Sequence, residues 1–256
     1  MNNIKRAFKN GKAFGAFITA GDPDIKKTEE YILTMVENGA DLIEIGIPFS
    51  DPVAEGKIIE EANERALSMG TTTDKVFELV KKIRAKVDVP LILLTYMNPI
   101  YVYGTLKFFE KCKECGVEGL IIPDLPYEEK HEVEIAKNKF DISVVTIIAP
   151  TSRDRIKMLA ENAEGLIYLI PSTDSTGVRE HINADLEGIV KEIRQASEVP
   201  IVIGLGISTP EQVKNLSKIS DGIVTESDIV KIVRKHGENA KELIHDYVKD
   251  MKANLV

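Results

Sequence analysis

The chain has 256 residues, of which 43% are hydrophobic and 29% charged, and its formal net charge is -8. This length and apolar content suffice for a large core without disulfides or structural metals. Because charges of both signs are scattered along the chain with no basic face, the composition argues against nucleic acid or an acidic membrane surface as a partner. No apolar run approaches the roughly 18 residues of a membrane span, and the N-terminus lacks a signal-peptide core, so we expect a cytoplasmic protein.

Short apolar segments recur along the chain and predict eight β-strands. In chain order they lie within 15–23, 37–48, 88–99, 114–126, 141–150, 161–171, 198–208 and 219–227. Each run is nearly continuous rather than alternating between apolar and polar residues. That pattern is typical of parallel strands that are covered on both faces.

Amphipathic segments with apolar residues at three- and four-residue steps lie between the strands and predict helices. The order strand then helix, repeated eight times without a linker, predicts a single (β/α)8 barrel domain over 1–256, with an extra N-terminal helix and short extra helices. A doubly wound sheet is the alternative. It would have fewer strands and a glycine-rich nucleotide fingerprint, whereas Gly204 and Gly206 lack the third glycine.

Two carboxylates stand out because active sites of barrels lie at the C-terminal ends of the strands. Glu44 interrupts the apolar run between Ile43 and Ile45, and we expect it to face the barrel mouth, where burial would raise its pKa toward the range of a proton donor or acceptor. The alternative is a structural Glu that pairs with an internal lysine or caps a loop amide. Glu55, in the following loop, is either the second acid or a cap or solvated side chain.

A phosphate site is a second hypothesis, since the loops after the last two strands of a barrel often bind anions through backbone amides. Gly206 and Ser227 lie in those loops, and Gly177 could add a third amide. The alternative is that the glycines only permit tight turns. The histidines fall away from strand ends, so we expect no metal site, and we expect Cys112 and Cys115 to be helix thiols without a special role.

Several motifs together resemble the alpha subunit family of tryptophan synthase. They include FITAGDPD, ADLIEIGIPFSDPVAEG, ANERAL, YMNPIYVYG, GLIIPDLPYEE and GLGISTPEQV, and the resemblance runs from about residue 3 to the C-terminus. It implies a lyase of tryptophan biosynthesis that splits indole-3-glycerol phosphate into indole and glyceraldehyde 3-phosphate by retro-aldol cleavage. It also implies no cofactor in this chain, and a beta subunit partner that carries pyridoxal phosphate in an alpha2beta2 heterotetramer.

The resemblance assigns roles to individual positions. Glu44 matches the catalytic Glu that moves a proton at indole carbon 3, and Glu55 matches the catalytic Asp that binds the indole N–H. The remaining matches fall into three groups. Phe17, Tyr96, Ile121 and Tyr168 match the indole pocket, Gly177, Gly206 and Ser227 match the phosphate amides, and Asp51, Pro52 and Asn98 match positions at or near the beta contact.

Three departures from the family pattern fall at the expected site: Glu55 replaces Asp, and Asp174 and Glu226 replace glycines. A carboxylate of Glu226 about 4 Å from a bound phosphate would repel it by roughly 4 kcal/mol at an effective dielectric of 20. Two alternatives follow from these departures. One is a weakened or inactive homologue that binds and activates a beta subunit, and the other is a barrel lyase redirected to a substrate without phosphate.

Overall fold

The computed structural model describes residues 3–171 and 185–256. Within these ranges nine strand segments form one parallel sheet. They are β1 (Ala13–Thr19), β2 (Leu42–Gly46), β3 (Leu91–Leu94), β4 (Gly119–Ile121), β5 (Ser143–Val144), β6 (Thr146–Ile148), β7 (Ile167–Leu169), β8 (Ile201–Ile203) and β9 (Gly222–Thr225). The predicted strand positions are therefore confirmed.

The same described ranges contain eleven α-helices, most of which connect one strand to the next. They are α1 (Ile25–Glu37), α2 (Lys57–Ser68), α3 (Thr73–Arg84), α4 (Met97–Tyr103), α5 (Thr105–Cys115), α6 (His131–Phe140), α7 (Ile156–Glu161), α8 (Leu186–Ala196), α9 (Pro210–Ser217), α10 (Ser227–His236) and α11 (Lys241–Ala253). None of the helices in the described ranges has the length and apolar character needed to cross a bilayer.

The barrel closes through a single interrupted strand. The sheet order runs β5-β4-β3-β2-β1-β9-β8-β7-β6, so its two ends are consecutive in the chain and meet at Val145. The Val145 N–H donates to the carbonyl of Leu120 at 2.9 Å on one side, while Thr146 pairs with Ile167 on the other. The nine segments therefore form eight strands of a closed barrel, which confirms the predicted fold.

Two local details differ from the sequence prediction. The extra N-terminal helix is a 3-10 helix, Asn3–Phe8. The strand predicted within 88–99 ends at Leu94, because α4 begins at Met97, whose N–H donates to both carboxylate oxygens of Asp124 at 3.0 and 3.2 Å. A carboxylate from the next loop thus satisfies the amino end of α4.

Each strand buries side chains on two sides, which explains the continuous apolar runs. On β1, Phe14, Ala16 and Ile18 pack in the layer between barrel and helices, whereas Ala13 and Phe17 belong to the barrel interior. Gly15 also faces the interior, where a Cβ would lie 2.8 Å from Val224 Cγ2 and 3.2 Å from Leu42 Cδ2. Side chains of β2 and β9 therefore meet across β1 inside the barrel.

An ion pair with a buried carboxylate and a partly exposed arginine joins the loop after β1 to α2. Asp22 is only 2% exposed, and Arg65 donates to its two carboxylate oxygens from Nε at 2.9 Å and Nη2 at 2.6 Å. Because Arg65→Ala leaves a buried carboxylate unpaired, we expect the free energy of unfolding to fall by about 3 kcal/mol in urea titrations. Arg155→Ala, which breaks an exposed pair with Glu128, is the control and should cost under about 1 kcal/mol. Equal losses in the two variants would contradict this account.

Candidate active site

A cavity of about 470 Å³ occupies the mouth of the barrel. Its size is in the usual range for a small-molecule site. Of the residues singled out in the sequence, seven line it: Phe17, Glu55, Ile121, Tyr168, Gly206, Glu226 and Ser227. These come from distant parts of the chain, and the fold brings them to one place.

The walls of the cavity are mainly apolar. Phe17, Leu94, Ile121, Ile147 and Ile170 all line it, and each is provided by the end of a different strand or the residues just after it. Such walls suit a flat aromatic ring, which gains free energy by leaving water and contacting apolar surface. The polar groups of the cavity are few, so each one bears on the chemistry.

Glu44 lies on β2 opposite Phe17 of β1, inside the barrel. It is fully buried, and neither carboxylate oxygen has a hydrogen-bond partner among the described residues. Burial raises the pKa of Glu44 well above its usual value, and the nearby carboxylate of Glu226 raises it further. Among the described residues, no lysine pairs with Glu44 and no loop amide donates to it, so they give no support to the structural alternative.

Glu44 does not itself line the cavity as the structure stands. A buried polar side chain without a partner costs free energy, and such groups call for an explanation other than stability. A carboxyl whose pKa is raised by burial, beside a substrate-sized cavity, is suited to proton transfer.

Glu55 lines the cavity from the loop before α2 and is half-buried. Its Oε2 accepts a hydrogen bond from Asn63 Nδ2 at 2.7 Å. Burial raises the pKa of Glu55 to about 7, with a smaller upward contribution from Glu226, while hydrogen bonds from Asn63 and Tyr96 oppose the rise. Glu55 is not the capping residue of α2. The residue at the N-cap position is Gly56, and no side chain caps the helix there.

Asn63 and Tyr96 both hydrogen-bond to the carboxylate of Glu55. Asn63 lies on the buried face of α2, and the Tyr96 hydroxyl also accepts the N–H of Ala54 at 3.4 Å. Tyr96 was expected in the pocket wall from the sequence, whereas Asn63 was not singled out. Its signal was the ANERAL motif, in which one amide interrupts an otherwise ordinary amphipathic helix.

Glu226 points into the barrel, which differs from the sequence expectation. It is 6% exposed, and its Oε1 accepts the hydroxyl proton of Tyr168 at 2.5 Å. Gly204 makes room for this contact, since a Cβ there would lie 2.0 Å from the Tyr168 oxygen. The carboxylate that we expected to repel a phosphate is thus bonded to a phenol inside the barrel.

The amides proposed for phosphate lie together at one side of the cavity. Gly206 follows β8, and Ser227 is the first residue of α10, so a helix amino end and a loop face the same space. Amides of this kind attract anions through their N–H groups and the helix dipole. Gly177 and Asp174 lie outside the described residues.

Cys112 and Cys115 do not line this cavity. Both are buried in α5 and neither forms a disulfide. Burial raises the pKa of both thiols, which disfavours the reactive thiolate.

Comparison with known proteins places this barrel in one family. The family model described as "Tryptophan synthase alpha chain" matches residues 3–255. The chain is 44% identical over 260 residues to the tryptophan synthase alpha chain of Caldanaerobacter subterraneus, covering all of this chain and 98% of that one. It is 42% identical over 260 residues to the alpha chain of a Thermoanaerobacter species, with the same coverage.

Solved structures agree with the sequence matches. Tryptophan synthase subunit alpha from Legionella pneumophila superposes with a TM-score of 0.89 at 28% identity, covering 100% of this chain and 98% of that one. A chain of the tryptophan synthase complex from Pyrococcus furiosus gives 0.86 at 33% identity, covering 95% and 99%. From the barrel, its cavity and these matches, the chain belongs to the tryptophan synthase alpha chain family.

Proposed function

We propose that this chain cleaves indole-3-glycerol phosphate to indole and glyceraldehyde 3-phosphate by a retro-aldol reaction. The observation that carries the proposal is a pair of carboxyl groups with raised pKa values in a barrel of this family: Glu55 lines the apolar cavity, and Glu44 is buried in the barrel interior. Paired carboxyls with different environments are the usual arrangement for acid and base roles at neutral pH.

The reaction divides into substrate positioning and proton movement. The indole ring packs against the apolar wall around Phe17 and Ile121, and the phosphate binds the amides near Gly206 and Ser227. Glu55, when ionised, accepts the indole N–H and stabilises the positive charge that develops on the ring. These contacts hold carbon 3 of the ring toward the interior of the barrel, where Glu44 lies.

Glu44 then moves protons in two directions. Its carboxyl donates a proton to carbon 3, which turns the ring into a cationic leaving group. The resulting carboxylate takes the proton of the side-chain hydroxyl as the bond between carbon 3 and the glyceryl carbon breaks, giving indole and the aldehyde. Because Glu44 is buried behind the cavity, substrate binding must accompany a side-chain rotation that brings the carboxyl to the ring.

A beta subunit carrying pyridoxal phosphate is the proposed partner, in an alpha2beta2 assembly in the cytoplasm. Support comes from the exposed apolar side chains near Asp51, Pro52 and Asn98, since Val53 and Tyr101 are 79% and 76% exposed. Exposed apolar side chains beside the expected contact positions favour a protein contact. The position of Glu226 inside the barrel gives no support to the alternative of a substrate without phosphate.

Turnover tests the proposal. We expect indole release from indole-3-glycerol phosphate by the chain alone and faster release after addition of a tryptophan synthase beta subunit. No indole under either condition would rule out the proposed lyase. Beta-subunit stimulation without cleavage would instead favour the inactive homologue.

The pKa of Glu55 predicts how the rate depends on pH. Because its role needs the ionised form, we expect kcat/KM to rise with pH through about 7 and to level off above that. Asn63→Leu removes a hydrogen bond that favours the ionised form, so the rise should move to higher pH. A pH series from about 5 to 9 measures both, and a rise at the same pH in the two proteins would contradict the assignment.

A further inference from the structure

Glu44 of β2 and Glu226, which directly follows β9, face the interior of the barrel on either side of β1. Leu42 of β2 and Val224 of β9 come together over Gly15, since both lie within 3.2 Å of where a Cβ on that glycine would stand. Glu44 lies two residues after Leu42 on β2 and points the same way, because strand side chains repeat every two residues. Glu226 lies just after β9, and its hydrogen bond from Tyr168 places its carboxylate in the interior.

Tyr168 of β7 also faces the interior of the barrel and bonds only one of the two acids. Its hydroxyl donates to Glu226 Oε1 at 2.5 Å, whereas Glu44 has no partner on either oxygen among the described residues. A donor on a carboxylate favours its ionised form, and a buried carboxyl without a donor favours its protonated form. The hydrogen bond therefore favours the carboxylate form of Glu226, whereas the surroundings of Glu44 favour its protonated form.

The other groups that act on these acids are few. Burial raises the pKa of Glu226, and the hydrogen bond from Tyr168 opposes that rise. Glu226 in turn raises the pKa of Glu44 and, by a smaller effect, the pKa of Glu55. Lys57 lines the cavity but is exposed at its rim. Within the described ranges, no lysine or arginine contributes to the pKa of either buried acid.

We propose that Glu226 is a positioning residue that shares one proton with Glu44, the proton residing on Glu44 while Tyr168 holds Glu226 as the carboxylate. This rests on the proposed function only for the use of the proton. When Glu44 donates its proton to carbon 3, the negative charge of Glu226 stabilises the cationic ring. The same charge then favours return of a proton to Glu44 from the substrate hydroxyl, so the pair ends the cycle with the proton it began with.

Carbon-13 NMR of the chain labelled at the glutamate carboxyl carbon tests the pair without turnover. We expect the two signals, assigned with Glu44→Gln and Glu226→Gln, to titrate in two linked steps. In Glu226→Gln the midpoint of Glu44 should fall by about one pH unit or more, because a like charge has been removed. Glu187→Gln removes an equal charge from the exposed first turn of α8 and should leave both midpoints unchanged.

The second variant keeps the test valid if Glu226→Gln does not fold. Tyr168→Phe removes the donor from Glu226, so the Glu226 midpoint should rise and the shared proton should shift toward it. An unchanged Glu44 midpoint in Glu226→Gln, or an unchanged Glu226 midpoint in Tyr168→Phe, would overturn the pair. Linked titration without indole release refutes the proposed function and keeps the pair, and indole release with independent titrations refutes the pair alone.

Discussion

Replacing Glu44 with Gln should lower kcat for indole release by about a thousandfold. Glu44 is the fully buried carboxyl at the barrel interior, and the amide of Gln can neither donate a proton to carbon 3 nor take one back. General acid and base catalysis contributes typically about 10² to 10⁴ in rate. Because the substituted side chain has nearly the same size and does not line the cavity, KM should change by no more than about threefold.

Steady-state indole formation from indole-3-glycerol phosphate measures this effect. Glu187→Gln is the matched control, since it makes the same chemical change on an exposed helix turn. A Glu44→Gln protein that keeps more than about a tenth of the kcat would contradict the role assigned to Glu44. A large rise in KM with an unchanged kcat would also contradict it, because that pattern marks lost binding rather than lost proton transfer.

Glu55→Gln should lower kcat/KM by about a hundredfold and stabilise the fold at the same time. The amide cannot supply the negative charge that offsets the developing charge on the indole ring, and loss of one such electrostatic contact costs on the order of 10² to 10³ in rate. The stability effect follows from the pKa. Folding raises the pKa of Glu55 from 4.5 to about 7, so the folded state holds a proton that the unfolded state has lost between these values.

The sign of the stability change depends on pH. Stability of the unmodified chain falls as pH rises from about 4.5 to 7, and above 7 the full cost of the ionised, half-buried carboxylate is present. Glu55→Gln removes that cost, so its free energy of unfolding at pH 8 should be higher by about 3 kcal/mol. Urea titrations at pH 4 and pH 8 test this, because at pH 4 the gain should vanish. An equal gain at both values would show that ionisation is not its source.

Much of the fold was predictable because strand runs, helix periodicity and their order are local features of the sequence. The eight strands appeared in the predicted places, since a parallel strand buried on both faces must be apolar along its length. The interruption at Val145 was not predictable from that run. It arises because β5 pairs with β4 on one side and β6 pairs with β7 on the other, so that this strand closes the barrel. Such pairing depends on the whole fold and not on the local sequence.

The acidic residues of the site could be predicted from the sequence, but the hydrogen bonds that they form could not. Glu44 could be singled out because a charge within an apolar strand is costly, and the strand end placed it at the mouth. The orientation of Glu226 could not, since it depends on Tyr168, 58 residues earlier, and on the absence of a side chain at Gly204. Asn63 was missed for the same reason, because its bond to Glu55 spans the turn from loop to helix.

Product analysis in deuterium oxide tests the central claim most directly. If an exchangeable carboxyl delivers the proton to carbon 3, indole released from indole-3-glycerol phosphate in D2O carries one deuterium at that carbon and is one mass unit heavier. Free indole incubated in D2O without the protein gives the background for exchange at carbon 3. We expect early product to be fully labelled above this background and Glu44→Gln to yield almost none. Early product without deuterium at carbon 3, or no indole from the unmodified chain, would contradict the account.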